Sequence, residues 1–139
     1  MSVIGAAEPV GCLLPPDPPW SVRVARTTGG GPAVEVYLGE FFVDVVASSR
    51  SRRLLRGACT GVVTGQPHTI AWGCLPASGG LAPGLEFIPR RIFPQPRLVT
   101  AENISSWFWL ATASGRFARV SALSHDTRES CQVRLAGRY

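Results

Sequence analysis

The chain has 139 residues, 45% of them hydrophobic and 17% charged. That mixture excludes a wholly disordered chain, because so much apolar surface offsets the entropy of ordering roughly one domain. The net charge of +5 rests entirely on arginine, since the sequence contains no lysine. A planar guanidinium fork suits phosphate and carboxylate recognition, although a GC-rich coding sequence produces the same bias, and the abundance of Gly, Pro and Ala fits it.

Residues 1–19 carry Pro9, Pro15, Pro16, Pro18 and Pro19. Such a run cannot donate ladder hydrogen bonds, so an extended arm is expected ahead of an all-β domain over 20–139. No apolar run reaches the roughly 18 residues of a membrane span, and residues 1–10 lack the positive and apolar regions of a secretory signal; a cytoplasmic protein is expected.

From Trp20 onward apolar residues alternate with period two between turn residues, and no window sustains helical spacing. The expected fold is a barrel or sandwich of sequential antiparallel hairpins with about nine strands. Strands over 33–38 and 41–46 flank Gly39-Glu40, a two-residue loop with glycine where a type II′ turn needs it. That register sets Val36 against Val43, Val34 against Val45 and Glu35 against Asp44, with Arg23 of the preceding strand beside Glu35.

A second hairpin joins 55–63 to 68–75 across 64–67. It places Gly57, Cys59 and Gly61 opposite Cys74, Trp72 and Ile70, small against large. Residues 85–88 form a short strand, and the Pro-broken segment 90–97 must be loop or edge. Residues 101–106 are the nearest approach to a helix, one turn at most. A third hairpin turns at Ser114-Gly115 and pairs Trp109 with Val120. Its opposite face, with Phe108, Leu110, Phe117 and Arg119, is too apolar to stand in water, so something should cover it. Residues 130–135 make a closing strand.

Four cysteines, Cys12, Cys59, Cys74 and Cys131, are widely spaced without a C-x-x-C pair, and the chain has two histidines. Buried reduced thiols are expected, with no metal and no cofactor. Glu35 and Asp44 are the most site-like acids, because paired carboxylates share a proton or a hard cation; a solvent-face row with Arg23 is the simpler reading. His125-Asp126 reads as a turn, for no nucleophile elbow or phosphate-cradling glycine motif accompanies it. Asn103-Ile-Ser105 matches a glycosylation acceptor, and with no secretory signal expected the match reads as coincidence.

Two binding surfaces remain. The face of Phe108, Leu110, Phe117 and Arg119 suits a protein partner or a second copy, which makes a non-catalytic interaction module the leading expectation. The alternative is nucleic-acid or polyanion binding by Arg50, Arg52, Arg53 and Arg56 with Arg90, Arg91 and Arg97, charge tracking phosphates and rings stacking on bases. A small enzyme built on the acidic pair is a third possibility, with no assembled nucleophile, base and orienter behind it.

Overall fold

The computed structural model describes residues 2–3, 18–48, 53–75, 81–125 and 127–136, and within them all regular structure is β. Most of the Pro-rich arm, residues 4–17, lies outside the described residues. Among the described residues no helix is long and apolar enough to cross a membrane.

The first sheet has the order β1 (Ser2–Val3), β2 (Trp20–Arg26), β3 (Pro32–Leu38), β4 (Phe41–Ala47). The second comprises β5 (Gly57–Val63), β6 (Gln66–Cys74), β9 (Glu102–Asn103), β10 (Phe108–Ser114) and β13 (Arg134–Leu135), in the order β13-β5-β6-β10-β9. The third holds β7 (Gly84–Ile88), β8 (Arg97–Thr100), β11 (Arg119–Ser124) and β12 (Thr127–Gln132), in the order β12-β11-β7-β8. The strands outnumber the nine expected: ten have four residues or more and three have two.

Two cores lie on opposite faces of the second sheet. Cys59, Ile70, Trp72, Cys74, Phe108 and Leu110 pack with Trp20, Val22, Val34, Val36 and Leu38 of the first sheet. The alternate residues Ala58, Ala71, Trp109, Ala111 and Ala113 pack with Leu85, Phe87, Val120 and Ala122 of the third. Because side chains alternate along a strand, this division requires the second sheet to lie between the other two. Its three long strands, β5, β6 and β10, are accordingly buried on both faces, the pattern of strands covered from both sides.

Three expected registers are corrected. In β3 and β4 the turn is as expected, with Gly39 at φ 59° and Leu38 opposite Phe41, but the register shifts between Val36 and Tyr37. Val43 is the extra residue of a bulge, so Val36 faces Asp44 and Glu35 faces Val45. A one-residue slip exchanges faces: Val46 is buried, Val45 is exposed, and Asp44 turns inward.

β5 and β6 pair two residues away from the expected register, with Gly57 opposite Trp72 and Cys59 opposite Ile70. Their loop is Thr64-Gly65 alone, at φ 49° and 80°, the twin positive values of a type I′ turn. β10 and β11 do not form a hairpin: β10 pairs with β6 and β9, and β11 with β7 and β12. Residues 115–118 instead cross from the second sheet to the third. Residues 130–135 likewise divide, β12 lying antiparallel to β11 and β13 parallel to β5. Residues 101–106 contain the short β9 and no helical turn.

Candidate anion-binding surface

Phe108 and Leu110 are fully buried in the first core, covered by this chain's own first sheet. The expectation that they form an exposed face with Phe117 and Arg119 is therefore corrected. Phe117 belongs elsewhere, half-buried against the second core with its ring edge-on to Phe87 at 5.4 Å. Arg119 is exposed at the start of β11.

The arginines at 90, 91 and 97 do gather. Pro89, Pro94 and Pro96 cannot donate to a ladder, so the chain leaves the third sheet after Ile88 and rejoins it at Arg97. Residues 115–118 lie alongside, because the Ala118 amide donates to the Ile88 carbonyl at 2.8 Å. Gly115, at φ 110°, is tied to the second sheet from both sides of its peptide: its amide donates to Pro67 O at 2.9 Å, and its carbonyl accepts from Thr69 Oγ1 at 2.9 Å. The Thr69 hydroxyl also shares a 2.6 Å hydrogen bond with the buried Thr60 hydroxyl.

Two shallow depressions of about 530 and 460 Å³ flank this proline loop and share Pro89 and Arg91. The first is lined by Arg91, Phe93, Arg97, Arg116 and Phe117 among others. Arg90, Arg91 and Arg119 line the second, beside Gln132. No Asp or Glu among the described residues lines either one. Among the described residues the ion pairs are Arg56 with Asp44 and Arg128 with Glu86, and neither involves one of these five arginines. The Arg97 guanidinium is preset: it stacks 5.1 Å from the Phe117 ring centroid and donates to Ser114 O at 2.8 Å. Ile92 and Phe93 stand at the loop tip, 89% and 88% exposed.

The other arginine group is not part of this surface. Arg50 and Arg52 lie outside the described residues. Arg53 is exposed, and its carbonyl accepts the Cys74 amide at 3.0 Å. Arg56 is engaged through Nε with Asp44 Oδ2 at 3.0 Å, a hydrogen bond that raises its pKa further.

Glu35 and Asp44 do not meet. Glu35 Oε1 accepts the Tyr37 hydroxyl at 2.9 Å, which raises the Tyr37 pKa, and Arg23 lies over the Tyr37 ring. His125 is exposed in the turn between β11 and β12 at φ 50°, and Asp126 lies outside the described residues. Cys59 and Cys131 are free thiols with pKa raised by burial, Cys59 to about 12, which suppresses the reactive thiolate. Cys12 lies outside the described residues, and no three His, Cys, Asp or Glu among the described residues are grouped to hold a metal.

Sequence reasoning missed Arg116 and assigned Arg119 to the wrong neighbours. The signal available was Gly115-Arg-Phe-Ala-Arg119, two arginines flanking an aromatic beside a turn glycine. No family model matches the chain, and no curated protein or solved structure is significantly similar to it.

Proposed function

We propose that the chain is a non-catalytic binding module, a layered β-sandwich scaffold that holds a polyanionic partner on the arginine surface of residues 89–97 and 115–119. One observation carries this reading: five arginines surround two adjoining depressions, with no carboxylate among the described lining residues. Guanidinium groups offer forked donors to phosphate or carboxylate oxygens, and unpaired positive charge concentrated on one surface attracts anions over a Debye length. Among the described residues the lining contains no thiol, imidazole or carboxylate to serve as nucleophile or base. Binding rather than chemistry is what those groups support.

Retention on heparin tests this reading. The wild-type chain should be retained, and Arg91→Ala/Arg116→Ala/Arg119→Ala should elute at clearly lower salt than Arg23→Ala/Arg26→Ala/Arg53→Ala, which removes the same charge elsewhere. Absence of retention, or equal elution of the two variants, would contradict it.

A protein partner remains the second reading, now moved to a different place. β4 is an edge strand of the first sheet and exposes Phe41, Phe42 and Val45. Exposed apolar residues along a strand edge that no described strand covers suit pairing with another chain. Phe42→Asp should then abolish any self-association seen by light scattering; a monomer at all concentrations, with no captured partner that responds to Phe42→Asp, would remove this reading.

A further inference from the structure

We infer that the polyanion is single-stranded nucleic acid, with Phe93 as the platform on which a base stacks. This inference rests on the polyanion reading of the arginine surface and deepens it. Phe93 contributes to the lining of the first depression while standing 88% exposed. Ring contacts among the described residues pair Tyr37 with Phe42, Phe87 with Phe117, and Trp107 with Phe108; none occupies the Phe93 face. The ring is therefore accessible to a ligand that occupies the first depression.

The chemistry around the ring selects the partner. Arg91, Arg97 and Arg116 line the same depression as Phe93, and Arg90 and Arg119 continue the charge past Arg91 into the second. Alternation of phosphate-binding guanidinium groups with an accessible ring is what a strand of unstacked nucleotides fits, since each unit brings one negative charge and one π face. A peptide of acidic residues alone would satisfy the arginines and leave Phe93 uncovered. Duplex nucleic acid offers phosphates, but its bases are already stacked on one another. Pro89, Pro94 and Pro96 restrict the loop that carries the ring, so less freedom is lost when a base docks on it.

Fluorescence anisotropy with a short labelled oligothymidylate provides the test, with inorganic polyphosphate, a duplex of equal charge and poly-glutamate as competitors. The oligothymidylate should outcompete all three. Phe93→Ala should weaken it roughly tenfold, the scale of losing one stacked base, while leaving polyphosphate binding unchanged, and Phe93→Trp should restore affinity. If the oligothymidylate binds no better than polyphosphate and is indifferent to Phe93→Ala, the nucleic-acid inference fails and the polyanion reading stands. Preference for poly-glutamate or for duplex would overturn the inference in the same way. If neither oligothymidylate nor polyphosphate binds, the polyanion reading itself fails.

Discussion

The Trp72 indole donates a 2.9 Å hydrogen bond to Asp44 Oδ2, joining the second sheet to the first through a carboxylate that the β4 bulge turns inward. The same oxygen accepts Arg56 Nε at 3.0 Å, and Oδ1 accepts the Val45 amide at 2.9 Å. Asp44→Ala leaves a fully buried indole without its acceptor, so a loss of about 1–3 kcal/mol in urea unfolding is expected. Asp44→Asn keeps an acceptor and should lose less. The Arg56 contribution is small, because its side chain is 42% exposed and screened by water. If Asp44 instead opposed Glu35, its removal would relieve repulsion, and unchanged or raised stability would show that.

Leu110 provides a second test, since it is packed beneath the first sheet. Leu110→Ala should cost about 2–5 kcal/mol, the range for deleting a buried leucine side chain. Leu110→Glu buries an unpaired charge and should prevent folding, visible as loss of the β signal in circular dichroism. A folded Leu110→Glu chain with an altered assembly state would place this side chain on the surface.

Gly73 lies opposite Trp109, and a Cβ there would fall on the Leu54 carbonyl oxygen, with Trp109 Cζ2 at 2.9 Å. That carbonyl accepts the Trp109 indole N–H at 2.9 Å, so it cannot withdraw without breaking a buried bond. Gly73→Ala should therefore cost about 3 kcal/mol or more. Gly84→Ala, whose new methyl meets nothing closer than 4.0 Å, is the matched control and should be near neutral in thermal unfolding.

The buried Cys59 thiol gives a pH dependence with a defined sign. Its pKa rises from 9.0 to about 12 in the fold, chiefly by burial, with Arg134 opposing. The unfolded chain thus releases this proton first as pH rises. Stability contributed by the neutral thiol is complete below pH 9 and declines between 9 and about 12. Urea midpoints of wild type and Cys59→Ala should converge over that interval as pH rises. A constant difference would contradict the raised pKa.

How far the sequence carries the fold depends on which layer a strand occupies. In β2 and β3 alternation correctly brings Arg23 beside Glu35 and places Trp20 and Val22 in the core, although Val24, expected on the same apolar face, is exposed. β10 reads Phe108-Trp109-Leu110, apolar on both faces, so alternation there cannot say which face meets which sheet. Gly115 looks like a hairpin turn because a crossover between sheets needs the same positive φ; the hydrogen bonds of Pro67 and Thr69 decide between them, and both are distant in sequence. The displacement of Asp44 had no local signature, since the indole that its carboxylate meets, Trp72, lies on another sheet. At the candidate surface, Arg90, Arg91 and Arg97 were legible as sequence neighbours. Arg116 and Arg119 join them only because β7 pairs with β11.

The salt dependence of oligothymidylate affinity, measured on single-arginine variants, tests the arginine surface most directly. Counterion release makes the logarithm of the binding constant fall linearly with the logarithm of salt, with a slope of about −0.7 per neutralised phosphate on a single strand. Wild type should show a slope corresponding to several contacts, and Arg91→Ala, Arg97→Ala, Arg116→Ala and Arg119→Ala should each make it shallower by about one contact. Arg23→Ala and Arg26→Ala should leave it unchanged. Binding that is absent at low salt, or a slope indifferent to the four surface arginines, would contradict the assignment.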